Sequence, residues 1–141
     1  SECLQVVRHG IVLPNGLILR YPGLRKSEDT VDEDGEVVQG GYSYLGQYGK
    51  LRKHVYGGLL TENVVQALSR LVIAEQMVSL KAKYGYDTVL CTHDELATIV
   101  PSSEGELATR RMIEEMKIAP KWAKGWPLTA EGGFARSYGD C

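Results

Sequence analysis

From Thr61 to about Tyr84 the chain runs without a glycine or a proline, and this stretch limits more than any other what the sequence can fold into. Val64, Leu68, Leu71 and Val78, flanked by Val65 and Val72, recur with the spacing of one helix face. At 1.5 Å per residue the helix spans about 36 Å. Thr61 is placed to cap its start and Glu62 to sit in its first turn, while Lys81 and Lys83 suit the electronegative last turn. Glu62, Gln66, Ser69 and Arg70 fall together on the side away from Val64 and Leu71, as an exposed polar face.

Around this helix the sequence reads as short strands and turns. Asn15-Gly16 lies between apolar runs and tolerates positive φ, which predicts a β-hairpin over 10–21. The run from Ser27 to Glu36 holds six acids and almost nothing to bury, so a solvated loop is expected there. Its acids lack the alternate spacing and closing Glu of a calcium loop. Residues 40–49 fit another short strand, and the cluster Lys50, Arg52, Lys53, His54 reads equally well as a solvated charge run or as a phosphate contact. Between Tyr86 and Pro101, β-favouring runs flank His93-Asp94-Glu95, giving strand, tight turn and strand. Ser103 with Glu106 has the form of a capping box opening a second helix to about Lys117, with Ala108, Met112, Ile113 and Met116 on its apolar side. Beyond Pro120 the tail carries Trp122, Trp126, Pro127 and Glu131-Gly132-Gly133, too short and glycine-rich for another large element.

Composition bounds the function. With 141 residues, 43% of them hydrophobic, one domain covering 1–141 with a sizeable core is expected. Sixteen Lys+Arg against 18 Asp+Glu leave a net charge of −2, so the chain lacks the basic balance of a self-sufficient nucleic-acid binder; a basic surface would be local or come from outside this sequence. No apolar window is long enough for a transmembrane helix and the start SECLQVVRHG has no signal-peptide core, so a soluble, cytoplasmic protein without membrane contact is expected. Cys3, Cys91 and Cys141, odd in number and scattered, argue against a disulfide framework and for a reducing compartment. The chain begins with Ser1 rather than Met, and a piece of a longer protein is the expectation.

The chemistry concentrates at His93, Asp94 and Glu95, three hydrophilic side chains brought by two apolar strands to a tip where they serve no packing purpose. A carboxylate on a rigid turn suits a hard cation, and Mg²⁺ takes one or two protein carboxylates while keeping water and substrate phosphates in its other positions. Adjacent residues in extended backbone point to opposite faces, so Asp94 and Glu95 need not hold the same ion, and Asp94 is the expected metal ligand. Taken alone, the triplet also fits an ordinary charged surface turn. A zinc site from Cys91 and His93 with Cys3 or His54 lacks a paired CxxC.

The order of features adds specificity: a long helix with Gln66 on its polar face, a hairpin tipped by His-Asp-Glu, a further helix, then a tail with Glu-Gly-Gly. In this order the chain resembles the C-terminal palm region of family A DNA polymerases of bacteriophage type, related to DNA polymerase I. VLCTHDELATIVP is similar to that family's motif C, LTENVVQALSRLVIAEQM to the helix preceding it, and PLTAEGGFARSYG to the polymerase C-terminus; together they cover most of 54–141. The resemblance implies an α+β half-palm, an antiparallel sheet with the motif C hairpin at 87–100 backed by the helices near 61–84 and 103–117, burying Val89, Ile99, Leu68 and Leu71 together. It implies two-metal nucleotidyl transfer in which Asp94 and Glu95 are catalytic, Asp94 holding Mg²⁺ and Glu95 supporting it at the metal or primer terminus. His93 would contact the primer end and Gln66 the primer-template DNA.

Two departures from the family pattern stand out. Four residues before Gln66 the family commonly has Asn, where this chain has Glu62, with Asn63 one step on. A motif A segment with its metal-binding Asp is missing, as is the fingers helix whose Lys and Tyr hold the incoming deoxynucleoside triphosphate. The expectation is half a palm, inactive alone and completed by an upstream remainder of the polymerase. The other reading is a non-catalytic palm fragment that binds DNA or a polymerase chain.

Overall fold

The structure, a computed structural model, describes residues 3–46 and 49–140. The fold is α+β, and every described strand pair is antiparallel. The chain divides into two compact units, one up to Leu68 and one from Ser69 onward, the boundary falling inside the long helix.

The first unit is built of short strands. β1 (Gln5–Val7), β2 (Gly10–Val12) and β3 (Ile18–Arg20) form one sheet in that order; β1 lies outside the expected hairpin. The β2–β3 connection is the three-residue loop Pro14-Asn15-Gly16, closed by Leu13 N–H to Leu17 O at 2.8 Å and Gly16 N–H to Leu13 O at 2.9 Å. Here Gly16, at φ +83°, takes the left-handed position and Asn15 accepts the Leu17 N–H, so the pair turns the chain in a longer loop than a two-residue Asn-Gly turn. β4 (Arg25–Lys26), β7 (Tyr42–Leu45) and β8 (Arg52–Val55) make a second sheet, in the order β4-β7-β8. Gln47 and Tyr48, within the strand expected at 40–49, lie outside the described residues.

The acidic run is not wholly a loop. β5 (Thr30–Val31) and β6 (Val37–Val38) pair across it as a small hairpin, solvent-exposed throughout as its charge requires. Asp32 closes the turn by accepting the N–H groups of Asp34 and Glu36, a job for which a short carboxylate suffices without a metal.

α1 spans Gly57–Tyr84, 28 residues, starting four positions earlier than the glycine-free run suggests. Thr61 is therefore inside the helix, its hydroxyl donating to Gly57 O at 2.9 Å, and neither Thr61 caps the start nor Glu62 lies in the first turn. Lys81 and Lys83 do occupy the last turn, and α1 ends at Gly85, which adopts φ +75°.

In the second unit, β9 (Thr88–Thr92) pairs with β10 (Glu95–Thr98), and α2 (Gly105–Met116) follows. Ile73, Leu80, Tyr86, Leu96 and Ala108 form the buried cluster, with Met77, Tyr84, Cys91, Val100, Met112 and Met116 packed around it. Residues 73, 77, 80 and 84 of α1, and 108, 112 and 116 of α2, each recur at helical spacing. Leu68 and Leu71 are buried as expected, but Val89 and Ile99 are 57% and 80% exposed. The register accounts for Val89. Cys91 faces Leu96 and Leu90 faces Ala97, but Thr98 then faces Thr88, so a bulge leaves Val89 unpaired. Ile99 lies just past the end of β10, three residues from Leu96 and so on the opposite face by alternation, and it is Leu96 that the hairpin buries.

The capping box at Ser103 and Glu106 does not form either. Ser102–Glu104 make a 3₁₀ turn, and α2 starts at Gly105 with no side-chain cap. A reason for the glycine lies in the packing: a Cβ on Gly105 would come within 2.6 Å of the Phe134 ring. At the far end of α2, the Gln76 amide donates to Met116 O at 2.7 Å, satisfying a carbonyl that the helix leaves free.

Candidate functional site

The β9–β10 hairpin brings His93 and Asp94 to its tip, with Thr92 and Glu95 facing each other as the closing pair. Glu95 is thus the first residue of β10 rather than part of the turn. His93 takes φ +52°, the left-handed region, an uncommon conformation for a residue with a Cβ and a local constraint on the turn. All three side chains are exposed. Among the described residues no hydrogen bond or ion pair engages the Asp94 carboxylate.

The hairpin is tied down along its length. At its open end, Thr98 Oγ1 donates to Asp87 O at 2.8 Å. Midway, Arg70 Nη1 on α1 donates to Cys91 Sγ at 2.9 Å. Beside the tip, Tyr138 Oη donates to Glu95 Oε2 at 2.8 Å. Arg70 and Tyr138 are the residues that sequence reasoning missed as partners of this turn. Arg70 had the signal of lying on the polar face of α1; Tyr138, 43 positions from Glu95, had none.

Gln66 lies on the part of α1 that belongs to the first unit, exposed, with Nε2 donating to Glu62 Oε1 at 3.1 Å. Glu62, Gln66, Ser69 and Arg70 are all exposed, whereas Leu71 is buried. Asn63 is engaged differently: its amide donates to Tyr21 Oη at 3.1 Å, and the Tyr21 ring meets Tyr44 edge-on. Asn63 therefore holds α1 to the strands of its own unit, while Glu62 and Gln66 hold each other at the surface.

Of the basic cluster, Arg52 serves the fold. Its guanidinium donates to Ser43 Oγ, Ser43 O and Gly23 O at 2.9, 2.8 and 2.7 Å, leaving Lys50, Lys53 and His54 exposed.

As a cation ligand set, the turn offers one uncommitted carboxylate and one bound to a phenol. Among the described residues no three His, Cys, Asp or Glu side chains gather in a way that could hold a metal ion, so the Cys91–His93 zinc site has no third ligand. Asp94 is a hard oxygen donor open to solvent, the kind that Mg²⁺ accepts when water and phosphate fill its other positions. The donor chemistry fits one side of a Mg²⁺ site. No helix among the described residues is long and apolar enough to cross a membrane.

The chain is similar to a protein named DNA polymerase from Bacillus phage SP02, 36% identical over 128 residues, which is 91% of this chain. It spans about a fifth of that relative, 19% of its length. No family model matches the chain, and no solved structure does.

Proposed function

We propose that this chain is the C-terminal palm portion of a family A DNA polymerase, in which the β9–β10 hairpin is motif C. The observation that carries the reading is the pairing of an exposed, uncommitted Asp94 on a constrained turn with similarity to a phage DNA polymerase across 91% of the chain. Asp94 would hold Mg²⁺ together with a carboxylate from the upstream part of the polymerase. When bound, a pair of such ions activates the primer 3′-hydroxyl and neutralises charge on the departing pyrophosphate. The residues of this chain do the positioning. Asp94 holds its carboxylate at a fixed place on the turn, Glu95 supports it, His93 meets the primer end, and Gln66 offers its amide to the primer-template duplex.

One carboxylate cannot keep two cations close, because neighbouring cations repel unless anionic ligands bridge them. The 141 residues alone should extend no primer and should bind divalent ions weakly. The test is primer extension with Mg²⁺ by the full-length protein. Asp94→Asn, which keeps the shape and loses the charge, should lower incorporation by about a hundredfold or more, and Glu95→Gln should be milder. An Asp94→Asn protein that extends at the wild-type rate would refute the assignment. A wild-type protein that binds primer-template and extends nothing would leave the non-catalytic binding module in its place.

A further inference from the structure

Resting on the polymerase reading, we infer that Tyr138 is a positioning residue for the site, and that the C-terminal tail acts as a strap holding Glu95 in one orientation beside Asp94.

Three observations combine. Glu95 is exposed and begins a strand, and a free glutamate in such a place would sample several rotamers. The Tyr138 hydroxyl, 2.8 Å from Oε2, gives that carboxylate a charge-assisted hydrogen bond from a ring with few torsions of its own. The tail that carries Tyr138 is anchored upstream. Phe134, half-exposed, lies against the α2 start, where a Cβ on Gly105 would come within 2.6 Å of its ring, and the Thr109 hydroxyl, 2.9 Å from Gly105 O, also has Gly133 O at 3.3 Å. These contacts lay the tail beside α2 just before Tyr138–Asp140 form a 3₁₀ turn and the Tyr138 hydroxyl meets Glu95.

A phenol bound to one carboxylate oxygen also divides the labour at the turn. Glu95 is held by protein while Asp94 is left open, so the two adjacent acids present one fixed and one available group. This is the asymmetry that distinct supporting and metal-holding roles require.

The test uses the full-length protein and four forms: wild type, Tyr138→Phe, Glu95→Ala and the double variant. Tyr138→Phe keeps the ring and removes the donor. A hydrogen bond to a charged group is worth enough that kcat for primer extension should fall by about tenfold, with the Michaelis constant for primer-template and the melting temperature unchanged. In the Glu95→Ala background the Phe substitution should have no further effect on kcat, because the acceptor is already gone. A second readout is independent of activity. Trypsin cleavage after the exposed Arg136 should be faster in Tyr138→Phe and in Glu95→Ala than in wild type, and no faster in the double variant than in either.

Wild-type kcat in Tyr138→Phe, or effects that simply add in the double variant, would overturn the inference while the polymerase reading stands. Loss of melting temperature in step with activity would make Tyr138 a stabilising residue only, and would overturn it as well. A wild-type protein that extends no primer would overturn both.

Discussion

The two units make opposite use of similar lengths of chain. From Ser69 onward, one helix face, a hairpin and a second helix converge on a shared cluster in which Leu80 is 1% exposed. Up to Leu68, the strands are two to four residues long and leave Val6, Val31 and Val37 largely in solvent. A long helix presents apolar groups every three or four residues to one partner surface, whereas a two-residue strand brings backbone hydrogen bonds and little apolar area. The second unit should therefore rest more on burial, and the first, which buries Leu13, Tyr21, Val55 and Leu68 apart from these strands' exposed valines, more on polar links such as the Arg52 fork. The turn that carries Asp94 and Glu95 belongs to the unit with the core, whereas Gln66 belongs to the other.

The strongest challenge to this contrast is Leu80→Ala. Truncating a fully buried leucine removes apolar burial and leaves a cavity, which should cost about 3 kcal/mol. Denaturant unfolding of the chain, followed by Trp122 and Trp126 fluorescence, checks it. Both indoles lie in the second unit, packed edge to face, with Trp122 Nε1 donating to Glu75. A loss below 1 kcal/mol would mean that this cluster is not where the stability resides.

Next in size is the one buried carboxylate among the described residues of the second unit. Glu115 is 4% exposed, accepts two hydrogen bonds from Lys83 at 2.8 and 2.9 Å, and takes a third from the Ser79 hydroxyl. Burial pushes its carboxyl upward, but the hydrogen bonds from Lys83 and Ser79, with the Lys83 charge, outweigh it and hold it below the ordinary glutamate range. A lowered folded value means that the stabilisation is present above the unfolded value of about 4.3 and is lost as pH falls through the lower folded one. Glu115→Gln should cost about 1–2 kcal/mol at neutral pH and flatten the acid limb of stability against pH. An unchanged acid limb would remove Glu115 from the account.

How much of this was legible in the sequence depends on whether a feature has a local pattern. The helical interior of α1 and the His-Asp-Glu turn were readable because a run free of glycine and proline and a charged triplet between β-favouring runs are local signals. The helix face was read only in part: Leu68, Leu71 and Val72 are buried, whereas Val65 and Val78 are exposed and Ile73, Met77, Leu80 and Tyr84 meet the core. The start of α1 was not, since Gly57 and Gly58 read as breakers although the first N–H groups of any helix lack intrahelical partners. Val89 was misplaced because a bulge resets which face a residue takes, and nothing in the alternation marks it, whereas Ile99 lies past β10 on the face away from Leu96. Strands as short and exposed as β5 and β6 leave no apolar pattern to find. At the site, Asp94 and Glu95 were visible as chemistry, but the tyrosine reaching Glu95 is a tertiary contact, invisible until the tail is folded back.

In the first unit the sharper test is Arg52→Lys. A lysine keeps the charge but cannot make three directed bonds to Ser43 and Gly23 from one planar fork, so the substitution should cost about 1–1.5 kcal/mol. Amide exchange in β4, β7 and β8 should quicken while exchange in α2 stays as it was. Equal quickening in both units would show that they unfold as one body and would break the contrast.

The smallest effect is expected where the first unit is most exposed. Val31 and Val37 face each other across the β5–β6 hairpin, both 67% exposed, so replacing either by threonine keeps the branched Cβ and changes little apolar area that folding removes from water. The midpoint of denaturation should move by an amount within about 0.5 kcal/mol. Asp32→Ala, in the same hairpin, offers a directional control, because it removes the acceptor of two turn N–H groups and should open the hairpin locally. If the valine variants cost as much as Arg52→Lys, the hairpin buries those side chains against something in solution. The first unit would then depend on apolar contact after all, and the division between a unit held by burial and a unit held by polar links would fail there.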